Sequence, residues 1–398
     1  MANIHILDMK ELSVQGVIHN YNSFSLTLNY SKIGDFVLSI DNRLSNSKLL
    51  VKNRIVMLED NGLYTGVITS VNIDIDDDGN EMRTAKGKTL GHLLSYRTVN
   101  NNGTNEYDVE QGYAETVAKS YVDKNAVSST DRKRNFDNFM IAETNELGER
   151  IKWQTKFEQL SDVIEDIAEY QSLGWSVHIN LEFNVLVFDM YKGKDLSGEV
   201  IFSTSYGNLE SQSYTYNEYE EKNFAYVAGE IYDLRVEIDP ETGEPITRTE
   251  TIINATTGEE MTIESPRERR IYNVGNNDAT GFERKETFIE VNESREEYID
   301  IPELGLRRLE ELTDIENIEV RIIDNEIFTF GEDYNLGDIV SIYDEEWGVT
   351  KDLRINSITI EIDENRENQI YLTFGNVLPM LNDKIKSELK SFEPYTKK

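Results

Sequence analysis

The stretch Ile73-Asp74-Ile75-Asp76-Asp77-Asp78-Gly79-Asn80-Glu81-Met82-Arg83-Thr84-Ala85 admits two readings, and the choice between them decides the fold. Asp74, Asp76, Asp78 and Gly79 fall at positions 1, 3, 5 and 6 of an EF-hand loop, which needs oxygen ligands there and a sharp glycine turn. The twelfth position of such a loop needs a bidentate Glu and here holds Ala85. A calcium loop also needs a helix on each side, whereas Gly66-Val67-Ile68-Thr69-Ser70-Val71-Asn72-Ile73 is β-branched and reads as a strand. Asp78-Gly79 is itself a strong hairpin signal. The stretch is therefore expected to run strand, tight turn, strand, with no bound metal.

The same pattern extends in both directions. Phe24, Leu26, Leu28 and Tyr30 alternate with Ser, Thr and Asn, as a sheet with one solvated face requires. Strand patterns also cover Ile4–Leu7, Leu12–Ile18, Asp35–Ile40, Arg54–Glu59, Tyr64–Ile75 and Met82–Thr89, so residues 1–95 are expected to form a first small antiparallel β-barrel domain. Residues 96–195 read as a mixed α+β domain. Asp108 with Gln111 fits a capping box ahead of a helix whose apolar face is Ala114, Val117, Ala118 and Tyr121. A second helix, from about Lys156 to Tyr170, carries Leu160, Val163, Ile164 and Ile167 at helical spacing, and the hairpin Trp175–Asn180 and Phe183–Tyr191 follows it. Residues 196–376 return to strand patterns, at Val200–Ser203, Gln212–Tyr219, Asn223–Glu230, Ile318–Ile323, Ile327–Phe330, Asp338–Tyr343, Leu353–Asp363 and Gln369–Phe374. These read as a second barrel domain, interrupted at about 232–300 by long polar hairpins whose turns are Asp239-Pro240-Glu241-Thr242-Gly243 and Thr256-Thr257-Gly258, and followed by a helical segment at Leu304–Leu312. Residues 377–398 fit a helical tail with Leu381, Ile385 and Leu389 on one face. The fold class is thus mainly β with an α+β insert.

Composition narrows the function. At 398 residues the chain is long enough for several cores, and a net charge of −35 opposes nucleic-acid binding, which depends on Lys and Arg displacing phosphate counterions. With no cysteine there is no disulfide framework or thiolate site, which suits a reducing cytoplasm. No run of about 18 apolar residues could span a bilayer, and Met1-Ala2-Asn3-Ile4-His5 lacks the regions of a signal peptide, so cytosolic synthesis without stable membrane insertion is expected. His5, His19, His92 and His178 are scattered and form no metal-binding pair, and no nucleophile elbow, phosphate loop or dinucleotide fingerprint is present. Paired carboxylates mean little among 75 acidic residues; Glu165-Asp166 and Glu345-Glu346 read as solvated charge. No catalytic residue, metal or cofactor is expected.

Three stretches carry more than any catalytic pattern: Tyr206-Gly207-Asn208-Leu209 with Phe224-Ala225-Tyr226-Val227-Ala228-Gly229; Gly281-Phe282-Glu283-Arg284-Lys285-Glu286-Thr287-Phe288; and Tyr334-Asn335-Leu336-Gly337-Asp338-Ile339-Val340 running through Trp347-Gly348-Val349 and Arg354-Ile355 to Thr373-Phe374-Gly375-Asn376. With Gly34-Asp35-Phe36, this ordered series resembles the tail-tip hub proteins of siphophages and prophages of Gram-positive bacteria, which are similar in turn to the central baseplate hub of contractile phages. The resemblance implies a structural protein of the virion tail tip. Three copies would form a ring whose six barrels match a sixfold tail tube or distal tail protein above and threefold receptor-binding, spike or fibre parts below, with a tape-measure protein as a further neighbour and a lumen through which DNA passes. Leu336, Ile339 and Val340 would then fill a barrel core, Gly337-Asp338 would turn the chain into its strand, and an acidic lumen would let DNA slide. Larger hubs of this kind carry a lytic C-terminal extension, but here only about 22 residues follow Asn376, so no lytic role is expected. A cell-wall-degrading or carbohydrate-binding tail protein, or the hub of a phage-derived bacteriocin, is the alternative.

Overall fold

The computed structural model describes residues 2–375 except 76–78, 101–107, 219–220, 233–236, 239–244, 247–248, 254–259, 265–266, 292–300, 311, 313–314, 323–326, 345–348 and 364–367. Seven strands open the chain: β1 (Ile4–Asp8), β2 (Val14–Ile18), β3 (Ser23–Asn29), β4 (Asp35–Asp41), β5 (Arg54–Leu58), β6 (Thr65–Ile75) and β7 (Glu81–Thr89). The hairpin that decided the reading is present, with β6 and β7 paired antiparallel from Gly66 opposite Thr89 out to Ile75 opposite Glu81. Gly79 sits at φ 79° with open space where a Cβ would be, a conformation that glycine adopts without strain. The tip residues Asp76–Asp78 lie outside the described residues. Ala85 is a fully buried strand residue, as far from a metal ligand as a side chain can be.

The chain continues through β8 (Asp108–Tyr113), α1 (Ala114–Val122), β9 (Phe139–Ile141), β10 (Arg150–Thr155), α2 (Leu160–Tyr170), β11 (Gly174–Asn180) and β12 (Val185–Tyr191). Both helices bury the faces their spacing predicts: Ala114, Val117, Ala118 and Tyr121 on α1, and Leu160, Val163, Ile164 and Ile167 on α2. The capping box does not form. Asp108 and Gln111 lie in β8, which pairs with β10 along six residues. Asp108 is occupied by tertiary contacts instead, its carbonyl accepting from the Tyr121 hydroxyl at 3.0 Å and its carboxylate from Lys124 Nζ at 3.1 Å. The remaining elements are β13 (Ile201–Phe202), β14 (Leu209–Asn217), β15 (Phe224–Tyr232), β16 (Glu237–Ile238), β17 (Pro245–Ile246), β18 (Thr249–Ile253), β19 (Glu260–Glu264), β20 (Arg267–Gly275), β21 (Glu286–Val291), α3 (Ile301–Glu310), β22 (Ile315–Ile322), β23 (Ile339–Asp344), β24 (Val349–Ile362) and β25 (Asn368–Gly375). The strand expected at Ile327–Phe330 is instead a turn with an isolated bridge from Phe330 to Tyr334, because Gly331 at φ 90° reverses the chain there.

Two units result, one of Met1–Tyr214 with Asn317–Val377, the other of Thr215–Glu316 with Leu378–Lys398. In the first unit the strands expected as two separate barrels share one sheet, in the order β14-β22-β25-β24-β3-β4-β7-β6-β5-β1-β2, with β23 joined to β24 and β13 to β23. The seam is the antiparallel pair β3 and β24, where Leu28 faces Ile358 and the hydroxyls of Thr27 and Thr359 meet at 3.0 Å although the residues lie 332 apart in sequence. Among the described residues no strand closes this path into a barrel, and β2 and β14 each pair on one side only. Both faces of the sheet are covered at β5. Ile55 and Met57 join a core with Val117, Tyr121, Ile164 and Ile167, while Val56 and Leu58 join another with Phe24, Phe36, Phe202 and Phe374. That double burial explains why β5 reads as a continuous apolar run and not as an alternation. It also means that residues 96–195 share a core with the first strands.

In the second unit β15 pairs antiparallel with β20 over nine residues and parallel with β21 over six. Ile301 and Leu309 of α3 pack with Ala225, Val227 and Val274. Within the polar insert expected at about 232–300, β16 pairs with β17 and β18 with β19 as antiparallel hairpins. The helical tail expected at 377–398 lies outside the described residues.

Candidate functional site

Among the described residues, those singled out as able to carry chemistry do not converge. Among the described residues no three His, Asp or Glu side chains lie close enough to hold a metal. His5 faces Asp60, His19 meets Asn3, His92 meets Ser95 and His178 meets Ser176, four separate settings. Burial holds both His92 and His178 below the ordinary imidazole range. Glu345 and Glu346 lie outside the described residues. Glu165 corrects the sequence reading: its carboxylate is not freely solvated but turns inward and accepts a hydrogen bond from the Ile33 amide at 2.8 Å, fixing the turn between β3 and β4. Burial pushes it up to about 7, against the opposing pull of that hydrogen bond and of Lys32. Another buried acid, Glu115, is held by Lys119 at 2.6 Å and by the amides of Asn145 and Leu147, each at 2.9 Å. Lys119 in turn reaches Asp189 at 3.1 Å and the Glu143 carbonyl at 2.7 Å. With these donors and acceptors matched, the cluster clamps α1 to the loop after β9.

The three stretches singled out in the sequence build the fold. Gly207, at φ 69°, ends a short turn that leaves Tyr206 exposed and Asn208 buried, the latter accepting from the Ser203 amide and donating to the Ile201 carbonyl, both at 2.8 Å. Phe224, Ala225, Val227 and Ala228 are buried in β15, and the Arg284 guanidinium lies 3.5 Å from the Phe224 ring centre while donating to Glu286 at 2.7 Å. Tyr334 and Val340 are buried and Leu336 packs partly against the same core. Asp338 is a clasp that sequence reasoning assigned only to a turn. It is 3% exposed, and its two carboxylate oxygens accept from the Lys194 amide at 2.7 Å and the Asn335 amide at 2.8 Å. No periodicity signals a buried acid of this kind; only its neighbour Gly337, at φ 91°, hints at a special turn.

What remains exposed is a surface suited to assembly. Among the described residues β2 and β14 are the terminal strands of this sheet, each paired with one other strand, and a terminal strand can serve as a template for pairing with another chain. Val14 on β2 is 53% exposed, and Tyr214 and Tyr216, two residues apart on β14, are 40% and 52% exposed. Exposed aromatics of this kind are enriched at protein–protein interfaces. In the second unit Phe282 is fully exposed and Phe288 half-exposed.

This architecture is shared with solved prophage tail proteins. The 43 kDa tail protein of prophage MuSo2 from Shewanella oneidensis matches with a TM-score of 0.56 at 11% identity, covering 94% of this chain and 98% of that one. A tail protein from Neisseria meningitidis MC58 matches with a TM-score of 0.54 at 11% identity, covering 94% and 96%. Prophage tail protein gp18 from Listeria monocytogenes EGD-e matches with a TM-score of 0.50 at 13% identity, covering 98% of both chains. Comparison with curated proteins finds no match. The chain belongs to the family described as Siphovirus ReqiPepy6 Gp37-like protein, whose pattern it matches over residues 3–376. The resemblance to siphophage tail proteins read from the sequence is borne out.

Proposed function

We propose that this chain is a structural, non-catalytic hub protein of a bacteriophage tail tip. Three copies form a ring that joins a sixfold tail tube or distal tail protein to threefold spike, fibre or receptor-binding parts and leaves a passage for DNA. The observation that carries the reading is the open strand path of the first unit, which among the described residues ends on two different terminal strands. Edges that differ, β14 on one side and β2 on the other, suit head-to-tail contact, which closes into a ring when the rotation between copies divides a full turn. Barrel closure, expected from the sequence within each chain, takes place in this reading between copies. Membership of the siphovirus family and the fold shared with three prophage tail proteins support a place in the virion tail. The net charge of −35 supports a lumen that repels DNA and does not retain it.

Electron microscopy of tail tips containing this chain tests the reading: a threefold ring of three copies with β14 beside a neighbour's β2 is the expected image. Release of sugar from purified cell walls by the isolated chain, abolished by changing one acid, would overturn the non-catalytic part.

A further inference from the structure

One hollow in the first unit has a chemistry opposite to the rest of the molecule. It is an open depression of about 320 Å³ between Tyr96, Arg97, Asn100, Lys133, Arg134 and Phe157, and among the described residues no acid lines it although the chain carries 75 of them. We propose that it binds the anionic group of a small ring-bearing ligand, a sugar phosphate or a sugar carboxylate.

The fold holds the positive charge in place without neutralising it. Arg97 lies over the Phe136 ring, 4.0 Å from its centre, and donates to the carbonyls of Arg134 and Tyr96. Arg134 Nη2 donates to the Thr98 carbonyl and to Asn125 Oδ1. Every one of these acceptors is neutral. Arg134 Nη1 is covered and meets no acceptor among the described residues. Two guanidinium groups fixed side by side without a carboxylate repel each other; burial and the Arg134 charge together hold Arg97 below its ordinary value. An oxyanion at the mouth of the hollow removes that repulsion, and the planar guanidinium fork fits phosphate and carboxylate alike.

The aromatic side chains indicate what the anion is attached to. Tyr96 and Phe157, both lining the hollow, are 44% and 57% exposed and leave aromatic surface for a ring to cover, although the Tyr96 ring also meets His92 in a T-shaped contact at 5.3 Å. Phe157 adopts φ 52°, a left-handed conformation that is unfavourable for a bulky residue, so a half-exposed ring is held there against local strain. The volume lies at the lower end for ligand pockets and suits one ring with its charged group. A polyanion is disfavoured because the field of the whole chain repels it, whereas one or two charges entering a basic hollow meet little opposition.

The test is calorimetric titration of the full chain with glucose 1-phosphate, glucuronate and glucose. A dissociation constant of about 1 mM or tighter for at least one anionic sugar, weakening as salt is raised, with glucose at least about tenfold weaker, is the expected result. Binding of the phosphate alone, or of the carboxylate alone, identifies the source of the oxyanion. Lys133→Gln is expected to weaken binding several-fold. Phe157→Gly is expected to weaken it about tenfold while leaving the melting temperature unchanged or raised, because glycine relieves the strain at φ 52°. Glucose binding as tightly as the anions, no saturation by either anion at about 10 mM, or unchanged affinity in both variants would overturn the proposal.

Discussion

Replacing Gly337 by alanine tests the packing that joins the first strands to the last. At φ 91° a residue with a Cβ costs about 1–2 kcal/mol of backbone strain. The added Cβ would also lie 2.1 Å from Tyr30 Cε2 and 2.4 Å from Cδ2, distances that no relaxed structure holds. The tyrosine ring has nowhere to go. Its hydroxyl donates to the Ser172 carbonyl at 3.2 Å and accepts from the Gly193 amide at 3.2 Å, and its edge meets Tyr191 at a centroid distance of 5.5 Å. Overpacking of this kind costs about 1–3 kcal/mol, so Gly337→Ala is expected to lose about 2–5 kcal/mol, a fall of about 4–20 °C in melting temperature for a unit of this size. Trp175 is the natural probe, because its amide donates to the Tyr30 carbonyl at 3.0 Å and its fluorescence follows the affected region. Gly207→Ala serves as the control: φ is 69° and nothing lies within 4 Å of the new Cβ, so only strain of about 1 kcal/mol is expected. Equal losses in the two variants would refute the clash and with it the packing argument.

Other substitutions probe independent parts of the account. Glu165 has a folded pKa of about 7 against an ordinary 4.5, so its contribution to stability is highest below pH 4.5, falls as pH rises toward 7, and stays low above that; Glu165→Gln is therefore expected to gain about 1–3 kcal/mol at pH 8 and nothing at pH 4, read by urea denaturation at both values. Lys119→Met leaves the Glu115 carboxylate buried without its cation and is expected to cost about 3–5 kcal/mol, part of which returns in the double variant with Glu115→Gln, measured as a double-mutant cycle. Asp338→Ala removes the acceptor of the partly buried amides of Lys194 and Asn335 and is expected to lower stability by about 1–2 kcal/mol in the same assay. Val14→Lys and Tyr214→Glu, both at exposed edge positions, are expected to change monomer stability by less than about 0.5 kcal/mol while weakening self-association, as followed by sedimentation.

Strand positions were legible in the sequence wherever one face of a strand is dry. Phe24, Leu26 and Tyr30 are buried as their alternation predicts, and the Asp78-Gly79 turn separates two strands as its chemistry predicts. Strand partners were not legible. The Ser, Thr and Ile residues of β3 and β24 fit many neighbours equally well, so nothing local says that Leu28 pairs with Ile358. For that reason two separate barrels were the natural expectation from two β-rich segments, and one shared sheet came from the structure. The helix faces were clear, yet Asp108 and Gln111 satisfied a local capping pattern that long-range pairing with β10 overrode. The basic hollow was hidden for a different reason. Arg97 and Arg134 lie far apart in a chain dominated by acids, and only tertiary structure brings them together.

The proposed closure of three chains through their unlike sheet edges is tested most directly by native mass measurement of the purified chain, combined with crosslinking between cysteines introduced at Val14 and Tyr214. The expected result is a species of three 45.9 kDa chains in which the crosslink joins β2 of one copy to β14 of the next. A monomer at all concentrations in the presence of its tail partners, or a trimer in which those two positions never crosslink, would contradict it.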